Sequence, residues 1–245
     1  MIIFDYIRSF IFNIMLYVVG VFWIGVTFIT LFLPRSVALI PQRMWSWTTQ
    51  YVIRFIGGIK SDIRGIENLP DGPFILACKH QSAWETTIFQ GMFKDPAMVL
   101  KKELMGVPIF GWHLRKVGMI AVDRADGTKA MIKMLRQAKA AVEAGRPLII
   151  FPEGTRVSTE DDANYQAGVY GLYGTLKIPV VPAALNSGYF WPRRKFIKKT
   201  GTVVLEFLPA IAPGLKKDAF MEQLTNSIEP ATQKLLAEAK GGKHI

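Results

Sequence analysis

Hydrophobic positions follow three regimes along the chain. Residues 9–34, S-F-I-F-N-I-M-L-Y-V-V-G-V-F-W-I-G-V-T-F-I-T-L-F-L-P, are almost continuously apolar and carry no charge. As a helix this run measures roughly 39 Å, longer than a bilayer core of ~30 Å. It is apolar all round, unlike the surface helix of a soluble domain, and Pro34 marks its end. Residues 41–57 are periodic instead. Met44, Trp47, Tyr51 and Phe55 recur at helical spacing, with Arg43, Ser46, Gln50 and Arg54 on the complementary face. Two readings stay open for this helix: an interfacial helix lying at the headgroups, or one packing its aromatic stripe on a core.

Beyond residue 60, short apolar runs rich in β-branched residues alternate with helical patterns. The pattern predicts strands at 62–65, 73–78, 97–100, 118–122, 147–151, 179–184 and 202–207. It predicts helices at 83–93, 103–115, 127–143, 165–176 and 217–238, the last interrupted by Pro230. Such alternation implies an α/β fold, a mostly parallel sheet flanked by helices, preceded by the hydrophobic membrane helix and the amphipathic helix. The expected division is 1–60 for membrane anchoring and 61–240 for a catalytic domain. Active sites in such sheets lie in loops at the carboxyl ends of strands.

Charge and composition narrow the class. The chain has 245 residues, is 50% hydrophobic and carries a formal net charge of +11. That balance suits anionic headgroups, acidic substrates or nucleic acid. With a lipid anchor at the amino terminus, the membrane is the expected partner and nucleic acid is not. A cleaved signal peptide fits poorly, because Asp5 offsets Arg8, the apolar run is too long and no small-x-small site follows. Four basic residues and no acid between Arg35 and Lys60 place that side of the first helix in the cytoplasm, at the inner membrane. Whether the helix spans or turns back in one leaflet is left open by hydropathy. Cys78 is the only cysteine, and His80, His113 and His244 are scattered, so neither disulfide nor zinc cluster is expected.

Four predicted strand ends carry polar residues. In K-H-Q-S-A-W-E-T (79–86), His80 could take a proton from a hydroxyl while Glu85 orients its ring. A solvated turn with Glu85 near a helix amino terminus is the plainer alternative. In G-M-I-A-V-D-R (118–124), Arg124 could clamp a phosphate or form a surface ion pair. In F-P-E-G-T-R (151–156), Pro152 and Gly154 force a tight turn whose N–H groups, with Thr155 and Arg156, could bind an anion. Glu153 is out of place there unless it positions an arginine or binds a hydroxyl. V-P-A-A-L-N-S-G (181–188) reads as a core strand and a turn. Residues 189–199, Y-F-W-P-R-R-K-F-I-K-K, interleave aromatics with five basic residues and suit a membrane or an acidic carrier protein, on an exposed hairpin.

In this order, these motifs resemble those of the glycerolipid acyltransferase family, in particular bacterial 1-acyl-glycerol-3-phosphate acyltransferases, over roughly residues 60–210. The family's His-x-x-x-x-Asp block corresponds to His80 to Glu85, its arginine block to Gly118 to Arg124, and F-P-E-G-T-R is its most specific string. The resemblance implies a base, His80, that activates the free hydroxyl of a lysophospholipid for attack on an acyl-CoA or acyl-carrier-protein thioester, without a covalent acyl-enzyme. It implies that Glu85 orients His80, and that Arg124, Glu153, Gly154, Thr155 and Arg156 hold the acceptor's phosphate and glycerol. No metal or redox cofactor is implied. Glu85 departs from the family aspartate by one methylene, and Ala121 stands where an aromatic is usual. Another lyso-lipid acceptor, such as lyso-ornithine lipid, or an inactive lipid-binding relative, therefore stays in view.

Overall fold

A computed structural model describes residues 2–123, 127–161 and 164–241. Helices α1 (Ile2–Thr30) and α2 (Arg35–Phe55) pair at the amino terminus, joined through Pro34. Seven strands then form one sheet: β1 (Ile59–Arg64), β2 (Ile75–Cys78), β3 (Ala97–Lys101), β4 (Ile120–Val122), β5 (Leu148–Ile150), β6 (Val180–Leu185) and β7 (Gly201–Phe207). Their order is β1-β7-β6-β2-β5-β3-β4, parallel except for the antiparallel pair β6–β7. Strands β2 and β6 are buried along their whole length, which is why their sequences are continuous apolar runs rather than alternating ones. Helices α3 (Trp84–Met92), α4 (Phe110–Lys116), α5 (Gly127–Glu143), α6 (Gly168–Leu176), α7 (Ser187–Phe190) and α8 (Lys217–Lys240) complete the described elements.

All seven strands fall where the pattern predicts them, within a few residues. Two helical expectations are corrected. The helix predicted at 103–115 divides into a 3₁₀ segment, Lys102–Gly106, and α4. Pro108 between them has no N–H and disfavours a helical Val107. Pro230 does not interrupt α8, which runs through it. The lost hydrogen bond is outweighed by a buried stripe of Phe220, Leu224, Ile228, Leu235 and Leu236. At about 1.5–3 kcal/mol per buried side chain, that stripe exceeds the ~3 kcal/mol penalty of an interior proline.

The question left open for α2 is resolved in an unexpected sense. Part of its polar face packs inward, beside the buried Ala38, Pro41, Val52 and Ile53, while Arg54 stays exposed. Gln42 Nε2 donates to Gln90 Oε1 at 2.6 Å, Ser46 Oγ to the Thr87 carbonyl at 2.7 Å, and Gln50 Nε2 to Thr87 Oγ1 at 2.8 Å. Gly91 permits this approach, since a Cβ there would lie 2.6 Å from Ser46 Oγ. The aromatic stripe faces outward, with Tyr51 63% and Phe55 62% exposed.

Helix α1 is long and apolar enough to cross a membrane, and only 11% of its apolar window is buried. Yet both of its ends are tied to the α/β body. Near one end, the Arg8 guanidinium donates to the Lys198 carbonyl and Ser9 Oγ accepts from Lys198 N–H. Just past the other end, Lys116 Nζ donates to the Leu31 carbonyl at 2.6 Å. The helix therefore lies along the body instead of projecting from it. Phe4, Tyr17, Phe22 and Phe28 of α1 are exposed as well. Exposed apolar surface on this scale marks a membrane or protein contact, and a membrane contact predicts selective exposure to lipid. A bimane label at Tyr51→Cys should be quenched by brominated lipids in vesicles, whereas one at the exposed Glu222→Cys on α8 should not. Equal quenching at both positions would contradict this orientation.

Candidate active site

The sheet brings three loops together. Strands β5, β2 and β6 are neighbours and parallel, so their carboxyl ends share one edge. His80 follows β2, Phe151–Arg156 follows β5, and Asn186–Gly188 follows β6.

At the centre is Glu85, in the first turn of α3 and fully buried. Its Oε1 accepts from His80 Nδ1 at 2.9 Å and from the backbone N–H groups of Gln81 and Ser82, both at 2.6 Å. Its Oε2 accepts from Ser187 Oγ at 2.8 Å and Ser82 Oγ at 3.2 Å. Burial pushes the carboxyl pKa up, but the hydrogen bond and charge of His80, with the Ser82 N–H, outweigh it and hold the group below its ordinary value. A carboxylate accepts only, so the His80 proton sits on Nδ1 and Nε2 carries the free lone pair. The His80 ring stacks on Phe151 with centroids 4.0 Å apart and planes 17° from parallel. Ring plane and tautomer are both fixed, which a general base requires.

The i to i+5 spacing works because the histidine lies before the helix and the glutamate within it. The extra methylene of glutamate lets the carboxylate reach back past Ala83 to the Gln81 and Ser82 N–H groups.

The F-P-E-G-T-R turn closes through Gly154 N–H to the Phe151 carbonyl at 2.8 Å, with Gly154 at φ +66°. Val157 N–H donates to the His80 carbonyl at 2.8 Å and locks the turn to the β2 loop. Gly154, Thr155 and Arg156 line the same cavity as His80. Glu153 does not; it turns inward, 4% exposed, with Oε1 3.4 Å from Lys79 Nζ. Lys79 in turn makes a bidentate contact to Glu229 of α8 at 2.7 and 2.8 Å, and Tyr165 O–H donates to Glu229 at 2.6 Å. One cation thus serves two carboxylates. Burial pushes the Glu153 pKa up to about 7, and Lys79 only partly opposes it.

The cavity measures about 950 Å³, the upper end of the range for small-molecule sites. Its apolar walls come from both parts of the chain: Trp23 and Ile24 of α1, Pro41 and Trp45 of α2, Met98 of β3 and Met134 of α5. His113 of α4 is also in this wall, buried and with no partner for Nδ1 among the described residues. Burial first, and the Lys116 charge second, push its pKa down to about 4, so it is neutral at physiological pH. The polar lining includes His80, Thr155, Arg156, Arg193, Arg194 and Lys101, and Arg193 is bonded to Arg156.

The expected site residues are thus partly reunited. His80, Glu85, Gly154, Thr155 and Arg156 converge. Glu153 supports the turn from behind. Arg124 lies outside the described residues, though Asp123 and Gly127 on either side of that segment line the cavity. Ser187 was missed, because N-S-G after a buried strand reads as a turn. Gly188 beside it is constrained too, since a Cβ there would come within 2.9 Å of Gln81 Cβ. Lys79 and Glu229 were missed because 150 residues separate them.

An α/β sheet whose central strand ends in an oriented histidine, next to a mostly apolar cavity with basic residues in its lining, defines an enzyme site for an amphiphilic substrate. The sequence matches the family model described as Acyltransferase over residues 60–186. It is 32% identical to the 1-acyl-sn-glycerol-3-phosphate acyltransferase of Pseudomonas aeruginosa, over 79% of this chain and 76% of that one. A yeast protein of the same name, from Saccharomyces cerevisiae, is 27% identical over 74% of this chain and 63% of its own. The fold superposes on the 1-acyl-sn-glycerophosphate acyltransferase of Thermotoga maritima with a TM-score of 0.76 at 20% identity, covering 94% and 97% of the two chains. The chain belongs to the acyltransferase family.

Two predictions follow from the geometry. Glu85→Gln should lower kcat by about 10²–10⁴-fold, the contribution of an oriented general base, with little change in KM. Glu85→Asp should lose less, because charge is kept while reach is shortened. Equal kcat for Glu85→Gln and wild type would remove the orienting role. The second concerns pH. The folded state holds the Glu153 proton more tightly than the unfolded chain, so this stabilisation is complete below the ordinary value of 4.5 and lost as pH rises through about 7. Melting temperature should therefore fall between pH 5 and pH 8 more steeply for wild type than for Glu153→Gln, measured by calorimetry. Parallel profiles would show that Glu153 ionises normally.

Proposed function

We propose that the protein transfers a fatty acyl group from acyl-CoA or acyl-carrier-protein to the free hydroxyl of 1-acyl-glycerol-3-phosphate, giving phosphatidic acid. The observation that carries this reading is that His80, oriented by Glu85, lines a cavity whose wall is mostly apolar and includes several basic residues. The name of the Pseudomonas aeruginosa relative, 1-acyl-sn-glycerol-3-phosphate acyltransferase, supports the same acceptor. His80 Nε2 takes the proton of the acceptor hydroxyl, and the oxygen attacks the thioester carbonyl. The tetrahedral intermediate collapses, the C–S bond breaks, and the imidazolium returns its proton to the departing thiolate. Glu85 stabilises the imidazolium formed between these steps. Positioning both amphiphiles at one membrane surface supplies much of the rate. Arg156, with Arg124 by family resemblance, would hold the acceptor phosphate. The outward apolar residues of α1 and α2 support attachment to a membrane, read here as the inner membrane with the catalytic domain facing the cytoplasm. The basic residues in the cavity lining favour a phosphate-bearing acceptor over lyso-ornithine lipid.

Purified protein in detergent should acylate lysophosphatidate with one or both donor types. His80→Ala should fall to near background in the same assay. Near wild-type turnover by that variant would remove the base. Activity on another lyso-lipid, with none on lysophosphatidate, would keep the mechanism and reject the acceptor.

A further inference from the structure

Arg193 and Arg194 belong to the basic segment between β6 and β7, which the sequence reads as a membrane- or carrier-facing hairpin. Both are exposed, as that reading expects, and both also line the catalytic cavity together with Arg156. Arg193 Nη1 donates to the Arg156 carbonyl at 2.8 Å, so the segment is fastened to the F-P-E-G-T-R turn. That turn is itself fastened to His80 through Val157. Among the described residues, none of the three arginines has a carboxylate within ion-pair distance. The one carboxylate in the described lining, Asp123, is 2.6 Å from Lys102 Nζ.

The segment is held, not free. Trp191 packs edge-on against Phe12 of α1 at 5.2 Å. Lys199 N–H donates to the Phe190 carbonyl at 2.9 Å, and Lys198 is buried, its Nζ donating to the carbonyls of Lys195 and Phe196. Arg194 adopts φ +60°, a left-handed conformation unfavourable for a residue other than glycine. Strain of that kind persists where the surroundings impose it, and it concentrates at ligand clamps.

We propose that Arg193 and Arg194, with Arg156, form a phosphate-binding site in the lining of the cavity. Three guanidinium groups with no carboxylate partner among the described residues, on two mutually bonded loops, suit the several acceptor oxygens of a phosphate, which arginine grips bidentately. Two substrates of the proposed reaction carry such a group: the acceptor's phosphomonoester and the phosphates of a CoA donor. The inference rests on the acyl-transfer reading for these ligands, but its test does not need turnover.

Binding of short-chain lysophosphatidate and of CoA, each alone, is measured by calorimetry in neutral detergent for wild type, Arg193→Gln, Arg194→Gly and the double variant. The double variant should weaken one of the two ligands about tenfold or more, the loss expected of charge-assisted bonds to phosphate. Weakening confined to lysophosphatidate assigns the site to the acceptor; weakening confined to CoA assigns it to the donor. Arg194→Gly should weaken binding while raising the melting temperature, because glycine relieves the left-handed backbone. A residue with a merely structural role would not move those readouts in opposite directions. Unchanged affinity for both ligands would overturn the site. So would an effect seen on anionic vesicles alone, which would make the segment a membrane contact. Wild-type binding that depends on these arginines, without any acyl transfer, would keep the site and reject the reaction.

Discussion

A buried carboxylate organises the active end of this molecule. Taking Glu85 out of water costs several kcal/mol, and only dense hydrogen bonding offsets that. Five donors supply it: two backbone N–H groups, two serine hydroxyls and the His80 ring. They come from the β2 loop and from the end of β6. Satisfying Glu85 therefore fixes the loop after the central strand, the start of α3 and the seating of Asn186–Gly188 together. The chemistry is a by-product of that constraint. Once Glu85 must stay ionised, His80 must point its Nδ1–H inward and present Nε2 outward.

A second buried charge cluster lies on the other side of His80 in the sequence, and it is balanced differently. Lys79 meets two carboxylates, Glu229 at 2.7 Å and Glu153 at 3.4 Å. Burial pushes the Glu153 pKa up to about 7, and Lys79 at 3.4 Å opposes it only in part. Adjacent residues thus feed two networks. His80 joins the loops of β2 and β6, whereas Lys79 joins those of β2 and β5 to α8. Few side chains are needed because parallel neighbours already bring the loops to one edge.

The fold was legible because burial leaves simple traces. Strands β2 and β6, covered on both faces, appear as unbroken apolar runs, and the helix faces appear as 3.6-residue periods. His80, Glu85 and the F-P-E-G-T-R turn were legible because each falls at a strand end. Other features depend on contacts that leave no local trace. Ser187 donates to a carboxylate 102 positions away, and Lys79 bonds one 150 positions away. Glu153 shares a turn with residues of the cavity wall, yet a strand-end motif does not say which side chain faces inward. Helix α2 was ambiguous for a physical reason: its periodicity reports two faces but not which solvent each one meets.

That inversion of α2 bears on how the chain is divided. In water, a helix turns its apolar face to the core. Here Gln42, Ser46 and Gln50 face α3, and the aromatic stripe is left outside. An exposed apolar patch of this size calls for a cover, lipid or another protein. The inward hydrogen bonds act as fasteners between the amino-terminal helices and the α/β body. Because Trp23, Ile24, Pro41 and Trp45 also wall the cavity, the first sixty residues do more than hold the enzyme at a surface. They complete the apolar half of the site, so a boundary near residue 60 divides the sequence but not the binding cavity. The same two helices thus supply both an outward apolar surface and part of the cavity wall.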